Sequence, residues 1–557
     1  MARNIAFDLA NDFTGGLNLR ADQFQLAPNE SPEIVNMEID PRGGAFTRAG
    51  WQMLNTTPIG AAVWNPKTLF NYKHSTAPTI MFSTGKSGAT NGEIYKSTGG
   101  NFTRLNISAA NIDVTNTDGA SFTQWENDLY FVTGSGTAQA YKWTSGNTYA
   151  TVLAASGPTW QAYELPVGGY FPRANICLTH ANKMFVANTY EDGVAQPNRL
   201  RWSHEGSPEN WYDDDYIDIN AGGEGIRGIH IVDGQLLIFK PKATYLLMGY
   251  DADNFQLVEL STIVGIDYPQ QACEGDGGVY FFDYPKGLFF YDRNGIQNIF
   301  LRLNPIIAEN KVNDAYLDLI TCSFINDRLW MSMPYQTDDS ASLPTTATVN
   351  FVFDQSIGKY GAFTMFRSSD SLGLVNGCDW RSSTDAAYHL MCRPDDAFIM
   401  FVDDFAYTKD EEYINSTIVD KSFANKYVTS WFYDDRYVQD KTFVGPNFVM
   451  KEVDINTNIQ VEVYYNFNNK LKTRTQTIAL RPRLSGGTYS TDSSGGVYGT
   501  AVYGENTEGA TVYKARRLGR AKSIQLQFVG KPTTLYTGEK WGINSIAYKY
   551  KRRNIKG

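Results

Sequence analysis

The chain has 557 residues with a formal net charge of −10, 19% charged and 14% aromatic residues, including 34 Tyr and 32 Phe. A composition so aromatic and so poor in charge excludes a disordered or coiled-coil chain, and the length allows three or four domains of roughly 150 residues each. The acidic excess gives no global positive field to hold nucleic acid by phosphate neutralisation, which argues against a sequence-reading DNA binder.

The first twelve residues, Met1 to Asp12, carry charges where a secretory signal needs an unbroken apolar stretch, so no Sec signal is expected. No run anywhere approaches the ~18 apolar residues of a membrane span, so the chain is expected to be soluble, with no membrane-spanning segment. From residue 13 to 51 the sequence is extended and Gly-broken, and Ser31 and Pro32 are placed as cap and first residue of a helix of one to two turns. Residues 1–60 therefore read as an extended N-terminal arm with a short helix. Having no core of its own, the arm is expected to order on a neighbouring subunit.

Over residues 61–420 one hairpin unit recurs. Its leading strands are Thr79–Phe82, Leu129–Val132, Met184–Ala187, Leu236–Phe239, Val279–Phe282, Leu329–Ser332 and Tyr388–Met391, at steps of 43 to 59 residues. Each has a partner: Glu93–Tyr95, Gln139–Tyr141, Arg199–Trp202, Thr244–Leu247, Gly287–Phe290, Val349–Val352 and Ala397–Met400. Turn residues such as Ala181-Asn182, Asp233-Gly234 and Asn326-Asp327 precede several of them and tolerate the left-handed backbone of a tight hairpin. Short sheets repeated around an axis close a core that none could bury alone. The expected fold is all-β, with a β-propeller of about six or seven blades. The spread of the steps leaves open a long sandwich or β-helix whose hairpins only look periodic. Asn304 to Ile320, opened by Pro305, reads as a second helix or a loop-rich insertion.

Beyond residue 420 the period is lost and strands alternate strictly, as in Ile459–Tyr465 and Ser523–Phe528. Residues 421–557 thus read as a C-terminal antiparallel β-sandwich with a half-solvated face. Within it, residues 485–509 are too polar to fold alone and read as an exposed loop. The stretch Lys549 to Gly557 reads as a basic tail, either solvated or in contact with an acidic neighbour.

Chemical motifs are sparse. The five histidines lie far apart, with no HExxH and no zinc spacing. There is no nucleotide-binding glycine loop and no G-x-S-x-G elbow, so no cofactor and no metal is expected. The five cysteines, Cys177, Cys273, Cys322, Cys378 and Cys392, form no CxxC pair. They read as buried free thiols that folded in a reducing compartment. Paired acids are the remaining resource: Asp213-Asp214-Asp215, Asp395-Asp396, Asp403-Asp404 and Asp410-Glu411-Glu412. Adjacent acids on a strand point to opposite faces and make no catalytic pair by themselves. They read as solvated loop acids, and the chain as no enzyme; a carbohydrate-active propeller enzyme is the alternative.

Two stretches carry a resemblance. Phe13-Thr-Gly-Gly-Leu-Asn-Leu-Arg20, Pro28-Asn-Glu-Ser-Pro32, Asn36-Met37, Asp40-Pro-Arg-Gly-Gly44 and Arg48-Ala-Gly-Trp51 form the first. Asn198-Arg-Leu-Arg-Trp-Ser203, Pro208-Glu-Asn-Trp211, Ile217-Asp218, Ile226–Ile229 and Leu236–Lys240 form the second. Together they resemble the propeller-containing tail nozzle or hub proteins of short-tailed bacteriophages. The resemblance implies a homohexameric ring in the virion tail, assembled in the host cytoplasm. That ring would lie below the portal adaptor or tail tube protein, with tail fibres or distal tail proteins beyond it, and viral DNA would pass through without sequence recognition. A distal minor tail or receptor-binding protein is the other structural reading. Under the nozzle reading, Asp213, Asp214 and Asp215, taken to lie on a loop between blades, are channel-lining candidates that repel phosphate. Phe13, Gly15, Gly16, Leu17, Asn18 and Trp51 are candidates for the arm that joins neighbours.

Overall fold

The computed structural model describes residues 6–22, 25–60, 65–108, 110–134, 140–153, 171–191, 193–212, 214–221, 224–251, 253–337, 342–403, 407–433, 439–444, 446–451, 457–480, 511–514, 519–530 and 541–552. Among them, α-helix is confined to Pro305–Ala308 and 3₁₀ turns to Pro269–Gln271 and Asp314–Leu319. Among the described residues no helix is long and apolar enough to cross a membrane. The candidate second helix is thus two short turns separated by non-helical residues.

Strands dominate, in antiparallel quartets. The first blade comprises Pro66–Tyr72, Thr79–Thr84, Ile94–Ser97 and Thr103–Arg104; the second Ser121–Trp125, Asp128–Val132, Ala140–Thr144 and Thr151–Leu153. The third runs Arg173–His180, Lys183–Glu191, Val194–Trp202 and Tyr216–Asp218; the fourth Gly228–Val232, Gln235–Lys240, Ala243–Met248 and Gln256–Ser261. The fifth holds Ala272–Gly275, Gly278–Asp283, Gly287–Asp292 and Gly295–Asn298. Thr321–Ile325, Arg328–Met333, Val349–Asp354 and Ala362–Phe366 make the sixth quartet, which forms one end of a nine-stranded sheet. The seventh takes Val375–Arg381, Ala387–Cys392 and Ile399–Val402, and borrows its outer strand, Gln52–Met53, from the N-terminal segment.

The ring closes because side chains alternate along each strand. On Thr79–Thr84, Ile80 and Phe82 face the seventh blade beside Leu390 and Ile399, while Met81 faces the second beside Leu129 and Phe131. The same division recurs around the molecule, giving an apolar cluster at each of the seven blade junctions. The hairpins read from the sequence are the second and third strands of each blade. Ala181-Asn182, Asp233-Gly234 and Asn326-Asp327 all adopt positive φ, as a two-residue turn between twisted strands requires.

The sandwich is built from both ends of the chain. One sheet orders Thr511–Lys514, Asn447–Lys451, Gly542–Arg552, Lys441–Phe443 and Gly519–Ala521, with Ala6–Ala10, Met37–Ile39 and Ala45–Thr47 added from the N-terminal segment. The other continues from the sixth blade through Glu33–Val35 to Asn425–Val428, Ile524–Gly530, Thr457–Tyr465 and Asn468–Leu480. The two meet where the Phe448 and Phe528 rings pack edge-on at 5.1 Å.

Three expectations are corrected. Ser31 and Pro32 open no helix: Glu30–Ser31 and Glu33–Val35 are strands, because Glu33–Val35 is claimed by sheet partners on both sides. The segment expected to order on a neighbour is ordered on its own chain, with Phe13, Leu17, Ile34 and Met37 in the largest core. Lys549 to Arg552 are no tail but the end of a strand paired with Ala6–Ala10 and Lys441–Phe443. The polar loop 485–509 lies outside the described residues.

Candidate functional site

The residues that carry the first resemblance meet at the junction of arm, sixth and seventh blades, and sandwich. Gly16 takes φ +68° so that Gly16-Leu17 can lie parallel to Glu30-Ser31, and a Cβ there would stand 2.9 Å from the Ala362 Cβ of the sixth blade. Arg302 Nη1 clamps this turn by donating to the carbonyls of Gly15 (2.8 Å) and Gly361 (3.2 Å). Asn18 Oδ1 accepts the Arg20 N–H at 3.0 Å and closes the next turn. The Phe13 ring packs edge-on against Tyr427 at 5.2 Å.

Arg48 is the centre. Its side chain is wholly buried, and it makes a two-pronged pair with Asp410, Nη1 to Oδ1 at 2.9 Å and Nη2 to Oδ2 at 2.8 Å. Its Nε donates to Asn36 Oδ1 at 3.0 Å, and its remaining protons reach the carbonyls of Ala49 and Arg367. The guanidinium lies between the rings of Trp51 and Phe423, 3.9 Å from each centroid. Trp51 in turn donates its backbone N–H to Asp410 Oδ1 at 3.0 Å. Asn36, at φ 54°, also accepts the Arg367 N–H and donates to the Ala424 carbonyl, so one side chain ties arm, propeller and sandwich.

A second charged knot lies alongside. Arg328, at the start of a sixth-blade strand, is shared by Glu38 of the arm (3.2 Å) and Asp403 beyond the seventh blade. Burial drives the Glu38 carboxyl up to about 7, outweighing the Arg328 guanidinium, and the nearby Asp403 charge adds to the rise. Glu38 Oε1 has no hydrogen-bond partner among the described residues.

The second resembling stretch runs through the third blade into the first two strands of the fourth. Arg199 pairs with Asp218 through Nε (2.8 Å) and Nη2 (2.9 Å) and with Glu191 through Nη1 (2.9 Å); the buried Arg201 also reaches Glu191 (2.9 Å). Burial alone would raise the Glu191 carboxyl, but the two guanidinium donors outweigh it and hold it below the usual range. Trp211 is buried against Phe171.

The channel-lining candidates are placed as follows. Asp213 lies outside the described residues; Asp214 is exposed, and Asp215 is half-buried with its carboxyl raised by that burial. Asp214 and Asp215 sit between the third and fourth strands of one blade, not between blades, which corrects the expected position. The other acids are mostly structural. Asp410 is buried against Arg48, Asp403 pairs with Arg328, and Asp370 and Asp396 flank the buried Arg393 at 2.6 and 2.9 Å. Reading Asp410 as a solvated loop acid is thus corrected; its partner stands 362 residues away in sequence, a distance across which no local pattern signals. Among the described residues no three His, Cys, Asp or Glu side chains are grouped so as to hold a metal ion.

No protein-family model and no curated protein matches the sequence. Solved structures are similar at low level. The extracellular domain of a one-component system from B. thetaiotaomicron aligns with a TM-score of 0.41 and 10% identity over 92% of this chain, which spans 62% of that one. BBS1N, solved in complex with ARL6DN, aligns at 0.37 and 9% identity over 64% of this chain and 98% of its own. The Dos1 propeller aligns at 0.35 and 9%, covering 69% and 94%.

Proposed function

We propose that the chain is a structural component of a bacteriophage tail, the nozzle or hub, forming a homohexameric ring through which the genome leaves. The observation that supports this reading is the junction itself. Residues that carry the resemblance, Asn36 and Arg48 among them, tie arm, propeller and sandwich beside Glu33–Val35, the strand that makes the nine-stranded sheet continuous. A wall that must hold its shape under load needs such a rigid coupling; a pair of domains on a linker would hinge. The net charge of −10 suits a conduit, because carboxylates within about 8 Å of passing DNA repel phosphate whereas a basic lining would trap it. Ring formation requires a head-to-tail interface that closes. The partners on this reading are the portal adaptor or tail tube protein above and fibres or distal tail proteins below, in the virion tail. Light scattering of the purified chain, followed by imaging of the oligomer on its adaptor, tests it. A closed six-fold ring with an axial hole wide enough for duplex DNA is expected; a monomer or trimer at the tail periphery would overturn the reading.

A further inference from the structure

The charge of the chain is divided between its two parts. Residues 421–557 hold 22 Lys and Arg against 10 Asp and Glu, a formal +12, while residues 1–420 hold 27 against 49, a formal −22. The third blade, Arg173–Asp218, is the most acidic of the seven, with eight carboxylates against four basic side chains.

Where the basic side chains of the sandwich point follows from register. On Gly542–Arg552, Ile546, Tyr548 and Tyr550 are buried in the core, so Lys549 and Lys551 point to the outer face of that sheet. Lys551 lies opposite Thr442, and Thr442 opposite Arg520 on the next strand, so the three share that face. Leu9, paired with Ala547, adds an exposed apolar side chain to it. Arg520 is exposed, and neither it nor Lys551 forms an ion pair among the described residues.

The sandwich continues from the outer edge of the sixth blade through Glu33–Val35, and in a ring of seven the second and third blades stand opposite the sixth. A head-to-tail repeat joins opposite ends, and so sets the sandwich of one copy against those blades of the next. There the connection between the third and fourth strands of the third blade exposes Glu205 and Asp214, neither in an ion pair among the described residues.

We propose that the outer face of the sandwich, through Arg520 and Lys551, docks on the Glu205 and Asp214 connection in the third blade of a second copy of this chain. The proposal rests on the ring reading and names its interface. Duplex DNA would neutralise the same cations, but the acidic propeller attached to them repels it, whereas a second copy supplies the opposite charge at its other end.

The test uses the full chain and reads its self-association by sedimentation velocity. Arg520→Glu with Lys551→Glu, and separately Glu205→Lys with Asp214→Lys, should each weaken association by about tenfold or more. Mixing the two variants gives every contact one acidic and one basic side again, so association should return as alternating oligomers. On the unaltered chain, raising salt from about 0.05 to about 0.5 M should weaken association, a measurement that decides if a variant does not fold. Undiminished association in either folded variant, no recovery in the mixture, no response to salt, or a monomer at low salt would overturn the contact. A six-fold ring on the adaptor, unchanged by the substitutions, would leave the ring reading standing while this contact falls. Loss of binding to a labelled duplex of about 20 bp in Arg520→Glu with Lys551→Glu, at unchanged self-association, would overturn the contact in favour of a phosphate-binding face.

Discussion

Replacing Arg48 by Met is the sharpest probe of the junction. The substitution keeps an apolar stem between Trp51 and Phe423 but removes the guanidinium, so Asp410, with a side chain 2% exposed, stays buried with only the Trp51 and Ser369 N–H groups on its oxygens. Removing one member of a buried pair costs about 3–5 kcal/mol, and the loss of two ring contacts is partly offset by the thioether. We expect a net cost of about 4 kcal/mol. Because the loss is local, hydrogen exchange is the assay: protection of the Arg48, Trp51 and Glu411 amides, which bond to Asn36, Asp410 and Trp51 respectively, should fall by about three orders of magnitude. Adding Asp410→Asn removes the uncompensated charge and should recover about 2 kcal/mol. Arg42→Ala, at a guanidinium 85% exposed, should change nothing beyond about 0.5 kcal/mol. Additive effects of the Arg48 and Asp410 changes, or unaltered exchange in Arg48→Met, would refute the view that this pair couples arm to propeller.

Stability should fall as pH rises from about 4 to about 7, because Asp396 and Glu38 are both pushed up to about 7 in the folded chain, chiefly by burial. In that window the folded state binds more protons than the unfolded one, and the stabilisation is complete only below the unfolded values. Urea titrations at intervals of pH should show the decline, and Glu38→Gln with Asp396→Asn should flatten it; an unchanged slope would count against the assignment. Gly16→Ala should cost about 2–3 kcal/mol, since it combines a left-handed backbone with the approach to Ala362, whereas Gly88→Ala, at φ +58° with open space around it, should cost only about 1 kcal/mol. Equal losses in denaturant titrations of the two variants would show that the close approach is relieved without cost.

Which strands were legible follows from where they sit. The second strands, and most of the third, lie between neighbouring blades and are apolar on both faces, as in Gly278–Asp283, buried throughout. They stand out as short aromatic or β-branched runs with a turn between them. The fourth strands are exposed edges, such as Gln256–Ser261, whose Gln, Glu and Ser give no such signal. First strands carry polar residues such as Thr123, bonded to Thr179 of the next blade's first strand at 3.0 Å, and so read as loop. The period was therefore visible while half of each blade was not.

The arm was illegible for a different reason. Glu33–Val35 is a strand because Met365 flanks it on one side and Lys426–Val428 on the other, each hundreds of residues away. Its local residues, Ser31 and Pro32, favour a helical start, and the tertiary pairing overrides them. Arg48 shows the same limit in charge: an arginine between Thr47 and Ala49 reads as a surface residue until Asp410 arrives to neutralise it. A segment whose structure is dictated by distant partners has to wait for them, so the sixth blade and the sandwich sheet become continuous only after the far end of the chain is made. The junction is the element whose loosening by Arg48→Met should separate propeller from sandwich while leaving the other blades intact.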